Sequence, residues 1–177
     1  MKKRIFALML ALALLVCSAA SASTFDRSFS SLKLLVKANA GSHDCMDYTT
    51  SSGSDHMVVD MAEGDIEAYH VFCEIYMSGS DNSIVCFKLY TFDDMAFDTG
   101  ERSQLLEFCN KWNYDYRYPR AFVDDDDLTI SADGFLFTTS DCPESMVDEF
   151  LENMIYGAEQ LLKELGSSGF SKFAAYQ

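Results

Sequence analysis

Apolar residues repeat at threes and fours over the last third of the chain, through Met146, Val147, Phe150, Leu151, Met154, Ile155, Ala158, Leu161, Leu162 and Leu165. That is the stripe of a helix with one buried face. Ser140 or Asp141 is placed to cap it, Pro143 suits its first turn, and Glu144 complements the helix dipole. The stripe stops at Gly166. An earlier face, Phe25, Phe29, Leu32 and Val36, predicts a helix over residues 25–38, with Gly41 as its stop. Leu105, Cys109 and Trp112 share a third face, predicting a helix from about Glu101 to Trp112 that Asn113 can end, because Asn tolerates the left-handed conformation found there.

Between these stripes the texture is that of strands. His56–Met61, Ile66–Met77 and Ile84–Phe92 are dense in Val, Ile, Tyr and Phe, which suit a pleated sheet. Ser78–Ser83 reads as a hairpin loop and Glu63-Gly64-Asp65 as a turn. Residues 42–55 hold six Ser/Thr, a Gly and three Asp, and read as loop with at most one short extended piece. After the second helix, Tyr116–Val123 reads as a strand whose Pro119 fits a sheet edge. Asp124–Asp127 makes a turn, and Leu128–Ser131 and Phe135–Thr139 read as short strand pieces around Asp133-Gly134. The order is α-β-β-β-α-β-β-α with hairpin pairing, so the predicted class is α+β: a small antiparallel sheet packed with three helices.

The N-terminus has a different character. Met1-Lys2-Lys3-Arg4 is followed by an apolar run from Ile5 to Cys17, too short for a membrane-spanning helix, which needs about 20 residues. Ala20-Ser21-Ala22 fits the pattern read by signal peptidase. Residues 1–22 are therefore expected to be a cleavable signal peptide, residues 23–166 the folded domain and residues 167–177 a weakly patterned tail. The expected location is the periplasm or the outside of the cell, with no membrane association after cleavage.

Charge narrows the partners. The leader holds three of the 13 basic residues and none of the 28 acidic ones, so the rest carries a net −18. Such a surface repels phosphate backbones and anionic headgroups, which argues against nucleic acid and lipid as ligands. Five cysteines follow the leader, Cys45, Cys73, Cys86, Cys109 and Cys142, an odd number in a compartment where thiols tend to pair.

Catalytic and cofactor signals are weak. No Gly-rich phosphate loop, nucleophile elbow or His-Glu-x-x-His run is present, and no cofactor is expected. His43, Cys45 and His56 fit no regular zinc spacing. A calcium loop starting at Asp124 would need Gly at its sixth position and Glu at its twelfth; Thr129 and Phe135 stand there. No metal site is assigned, although a looser cation site on the Asp124–Asp127 turn stays open.

The stretch Phe108–Asp127 reads FCNKWNYDYRYPRAFVDDDD. Asn110, Trp112, Asn113, Arg117, Tyr118, Arg120, Ala121, Phe122 and Asp124 in it resemble the signature of the YbjN family, the bacterial sensory transduction regulators. A glycine usual in that family's acidic turn is replaced here by Asp. The resemblance implies a fold similar to type III secretion chaperones, often dimeric, that binds protein segments without chemistry. Exported members often carry a cysteine pair in the preceding hairpin. Cys73 and Cys86, separated by 12 residues, would face each other if their strands paired about the Gly79–Asn82 loop. Such a bridge would contribute roughly 3 kcal/mol in the chain-entropy account. Cys109 and Cys142 are a second candidate pair, leaving Cys45 over.

The candidate binding residues are Trp112, Asn113, Arg117, Arg120 and Asp124. Trp112 is expected to plug the helix–sheet junction, and Arg117 and Arg120 to pair with a carboxylate such as Asp124 or Asp115. The competing reading makes Arg117 a forked donor to a carboxylate or peptide. The expected function is an exported, non-catalytic module that holds a protein or peptide segment, with a homodimer left open. The alternatives are a metal-dependent enzyme using Asp124–Asp127 and an envelope protein with a structural or stress-protective role.

Overall fold

The computed structural model describes residues 23–177; the expected signal peptide lies outside the described residues. Three helices, α1 (Phe29–Asn39), α2 (Arg102–Asp115) and α3 (Glu144–Ser167), accompany six strands: β1 (Cys45–Thr49), β2 (Asp55–Asp60), β3 (Val71–Ser78), β4 (Ile84–Thr91), β5 (Arg120–Asp124) and β6 (Thr129–Phe137). The strands form one antiparallel sheet in the order β1-β2-β3-β4-β6-β5. The class is α+β, and the short extended piece foreseen in 42–55 is β1, which joins β2 through a tight Thr50–Ser54 turn.

All three helices sit on one face of this sheet. Inward residues of the strands (Met57, Val59, Cys73, Ile75, Val85, Phe87, Leu89, Ile130, Ala132) share a single buried cluster with Leu32 and Val36 of α1, Leu105 and Trp112 of α2, and the α3 stripe from Val147 to Leu165. Period-two burial in β3 and β4 against period-3.6 burial in α3 is what one shared apolar layer imposes. At the N-terminal end Ser28 caps α1 by accepting from the Ser31 N–H at 3.2 Å. Phe25 lies before that helix, yet is buried, its N–H donating to the Cys142 carbonyl at 2.9 Å.

Several boundaries differ from the sequence reading. Strand β3 begins at Val71, not Ile66, because Asp60 Oδ1 accepts from both the Ala62 and Tyr69 N–H groups, at 2.9 and 3.0 Å, and ties residues 62–69 into a loop. Strand β6 is continuous rather than two pieces: Gly134 pairs with Phe87, and a Cβ there would lie 2.5 Å from Met154 Sδ. That glycine serves a close sheet–helix approach, not a turn. Neither Ser140 nor Asp141 caps α3; its N-cap is Pro143, without a side-chain bond, while Asp141 accepts from Thr139 Oγ1.

The predicted tail is part of the core. Residues Ser171–Tyr176 form a 3-10 turn that buries Phe170, Phe173 and Tyr176. Phe97 packs against Phe170 edge-on at 5.0 Å and against Phe173 stacked at 5.5 Å, and Tyr176 Oη donates to the Met61 carbonyl. Spacing by threes is the 3-10 period, and Phe170, Phe173 and Tyr176 carry it. Gly166 lies inside α3, where a Cβ would come within 2.4 Å of the Phe173 carbonyl oxygen.

Candidate functional site

The end of α2 is bound to the start of β5 by two neighbouring side chains. Trp112 is buried, and its Nε1–H donates to the Pro119 carbonyl at 2.8 Å. Its indole stacks on the Tyr116 ring, with centroids 4.0 Å apart. Asn113 does not end the helix, which runs on to Asp115. Its amide instead donates to the Ala121 carbonyl and accepts from the Ala121 N–H, both at 2.8 Å. Strand β5 is a sheet edge, so the side chain of Asn113 takes the place of a missing neighbour strand. Edge groups left open invite pairing with other chains; here Asn113 occupies those of Ala121. Residues 116–119 are thereby held as a fixed loop, which includes the cis Tyr118–Pro119 bond.

That loop forms one wall of a groove. Tyr116, Arg117 and Tyr118 face Met146, Phe150 and Tyr156 of α3 across a volume of about 550 Å³. Gly157 makes the close approach possible, since a Cβ there would meet Pro119 Cδ at 2.5 Å and the Tyr118 oxygen at 3.0 Å. Sequence reasoning missed Gly157; an isolated glycine inside an otherwise unbroken α3 stripe was the available signal. Among the described residues Arg117 makes no ion pair, with Asp115, Asp124 or any other carboxylate. It is exposed at the groove mouth.

Arg120 and Asp124 lie elsewhere. With Phe122 they occupy the outward side of β5, on the sheet face away from the helices, and Arg120 is also without an ion pair among the described residues. The five candidate residues thus separate into a structural pair (Trp112 and Asn113), one groove residue (Arg117) and two on the open sheet face (Arg120 and Asp124).

The acidic turn diverges instead of converging. Asp124 accepts from the Asp126 N–H at 3.2 Å, Asp127 accepts from Thr129 Oγ1 at 2.6 Å, and Asp125 pairs with Arg102 at 2.7 Å. Local side-chain bonds of this kind shape turns. Among the described residues no three potential ligands gather as a metal-binding group.

The cysteine bridge is corrected by register. Cys73 pairs across the hairpin with Leu89, and Cys86 with Tyr76. The two cysteines therefore sit three positions out of step and on opposite faces, since side chains alternate along a strand. Cys73 is wholly buried in the core and Cys86 half-buried on the open face; all five described thiols are free. Burial raises each of them: Cys73 well above its ordinary value, Cys109 up to about 11, and Cys45, Cys86 and Cys142 by smaller amounts. None offers a ready thiolate near neutral pH. No described helix is long and apolar enough to cross a membrane.

Comparison with protein families matches residues 42–166 to YbjN, described as "Putative bacterial sensory transduction regulator". The match runs from the start of the sheet to the end of α3. Helix α1 and the Ser171–Tyr176 turn lie outside it while packing into the same core. No curated protein and no solved structure matches the chain.

Proposed function

Because the chain belongs to the YbjN family, we propose that it is an exported, non-catalytic regulatory module that binds a protein or peptide segment in the groove between α3 and the Tyr116–Pro119 loop. The observation that carries this reading is the groove itself: Tyr116, Tyr118, Met146, Phe150 and Tyr156 line it beside Arg117, which has no ion pair among the described residues, with Glu149, Asn153 and Gln160 on the α3 wall. Aromatic and Met side chains are the groups enriched where proteins meet. Arg117 can take a carboxylate through two parallel N–H bonds. The preferred segment therefore presents an apolar anchor beside a carboxylate.

Three features support binding over chemistry. The wall carrying Arg117 is fixed in advance by Trp112 and Asn113, which lowers the ordering cost of association. The raised thiols supply no nucleophile. The carboxylates of the acidic turn are spent on separate local bonds. Export rests on the cationic start, apolar run and Ala20-Ser21-Ala22 of the leader; N-terminal sequencing of the secreted protein should read Ser23.

A random peptide library selected on the protein tests the groove. Enriched peptides should share an apolar anchor and an acidic group or free C-terminus. Arg117→Ala should weaken them about tenfold or more, the worth of one charge-assisted contact, and Met146→Glu should act alike at an exposed position. Phe135→Lys, on the open sheet face, should leave binding unchanged. Selection without a shared motif, or binding indifferent to both groove variants, would refute the proposal.

A further inference from the structure

The sheet face opposite the helices is open among the described residues, and its side chains lie in ordered rows. One row crosses four strands: Glu74 on β3 stands opposite Lys88 on β4, Lys88 opposite Asp133 on β6, and Asp133 opposite Arg120 on β5. The charges alternate in sign, yet none of these neighbours closes to an ion pair. The Lys88 ammonium instead lies 5.7 Å from the Tyr90 ring centroid, and Glu74 is fixed by bonds from His56 Nδ1, at 2.6 Å, and Tyr48. On one side of this row Tyr48, His56, Tyr76, Cys86 and Phe135 form a second. On the other side Phe72 and Tyr90 pair, with Phe122 on β5. Phe122, Phe135 and Phe137 are 45%, 58% and 66% exposed.

We propose that a second copy of this chain docks on this face, sheet against sheet, about a two-fold axis parallel to the strands and lying between β4 and β6. Such an axis reverses the charged row while keeping its level. Lys88 then meets Asp133 of the second copy, and Arg120 lies over its Glu74, whose side chain is 12% exposed beneath Tyr48 and His56, each contact occurring twice. A two-fold axis perpendicular to the strands would instead set like charges over one another. The alternation therefore selects one isologous arrangement. It keeps the strand directions aligned, as packed sheets prefer, and brings Tyr76 and Phe135 against the same aromatic row of the second copy. The net negative charge of each chain opposes association. That repulsion is screened beyond a Debye length of about 8 Å at physiological ionic strength, whereas contact pairs between the faces are screened much less.

This surface is separate from the α3 groove, so the two proposals fail independently. Sedimentation velocity of the protein expressed from its full coding sequence, from about 1 to 100 μM, covers the affinity range of ordinary homodimers. A dimer is expected. Lys88→Glu and Asp133→Lys should each weaken it about tenfold or more, because like charges then meet across the interface; the double swap should recover it. Phe137→Lys, at an exposed position, should also dissociate the dimer while matching the melting temperature of the parent at concentrations where the parent is monomeric, which separates loss of docking from loss of fold. A photoreactive side chain at position 135 should crosslink to the same chain. A monomer at every concentration, a dimer indifferent to the swaps, or a crosslink to a different protein would each overturn the proposal.

Discussion

Asn113 grips Ala121 at both ends of its amide, donating to the carbonyl and accepting from the N–H at 2.8 Å each. Helix α2 thereby covers the β5 edge of the sheet at Ala121 with a single side chain. Beside it Trp112 holds the Pro119 carbonyl. Together they convert a family signature into a rigid wall for the neighbouring groove.

Asn113→Ala leaves two backbone groups of Ala121 without partners. The expected loss is about 2 kcal/mol of unfolding free energy, within the range for unsatisfied polar groups. Asn113→Asp keeps the acceptor but sets a carboxylate against the Ala121 carbonyl, and should be no better. Trp112→Phe gives up one hydrogen bond, a loss of about 1 kcal/mol. Chemical denaturation of the three variants measures the order. Equal stability of Asn113→Ala and the parent would show that water replaces the amide at no cost.

Gly157→Ala sets two effects against each other. Alanine gains about 1 kcal/mol of helix propensity, while overpacking costs typically 1–3 kcal/mol. The added Cβ would lie 2.5 Å from Pro119 Cδ and 3.0 Å from a backbone oxygen, and a backbone oxygen cannot swing aside, so the penalty should win. The melting temperature should fall and groove peptides should bind more weakly. Gly100→Ala, with nothing within 4 Å of its Cβ, is the control and should be near neutral.

Stability should hold a plateau near neutral pH and fall on both sides. Hydrogen bonds from Ser28, Lys33, Ser83 and Thr139 lower the carboxyls of Asp26, Asp47, Asp81 and Asp141 below their ordinary 3.8. Folded values below unfolded ones mean stability that is present above pH 3.8 and lost as pH falls. On the alkaline side burial raises Cys109 from 9.0 to about 11 and also raises Cys73, Tyr48 and Tyr176. Their contribution is complete below pH 9 and lost as pH rises through the folded values. Melting curves across pH test both limbs. Cys109→Ala should flatten the fall between pH 9 and 11; an unchanged alkaline limb would remove Cys109 from it.

Non-reducing peptide mapping should show no Cys73–Cys86 link. Alkylation of the native protein should reach Cys86 and Cys45, which are partly exposed, before the buried Cys73, Cys109 and Cys142. A recovered Cys73–Cys86 peptide would require a hairpin register three residues away from the one described.

Much of the architecture was legible in the chain. The stripes of α1 and α3, the β3–β4 hairpin and the signature around Trp112 are local patterns, because periodic burial is written into the order of apolar and polar residues. Phe170, Phe173 and Tyr176 were legible in principle, but a 3-10 spacing of three is too short a signal to stand out. The family reading came from the same local run of residues and agrees with the match over 42–166.

Tertiary structure decided the rest. Whether Cys73 faced Cys86 depended on cross-strand register, and one or three residues of slip changes every face. Whether Asn113 stopped a helix or closed a sheet edge depended on where β5 lay, eight residues further on. Gly134 read as a break between two strand pieces, and Gly157 carried no reading, until the opposing helix and loop were in place. The pairing of Arg117 likewise turned on which carboxylates came within reach, and among the described residues none did. Sequence fixes which side chains are apolar and how often they recur; distances between residues far apart in the chain arise only when the shared core forms, and each of these roles is such a distance.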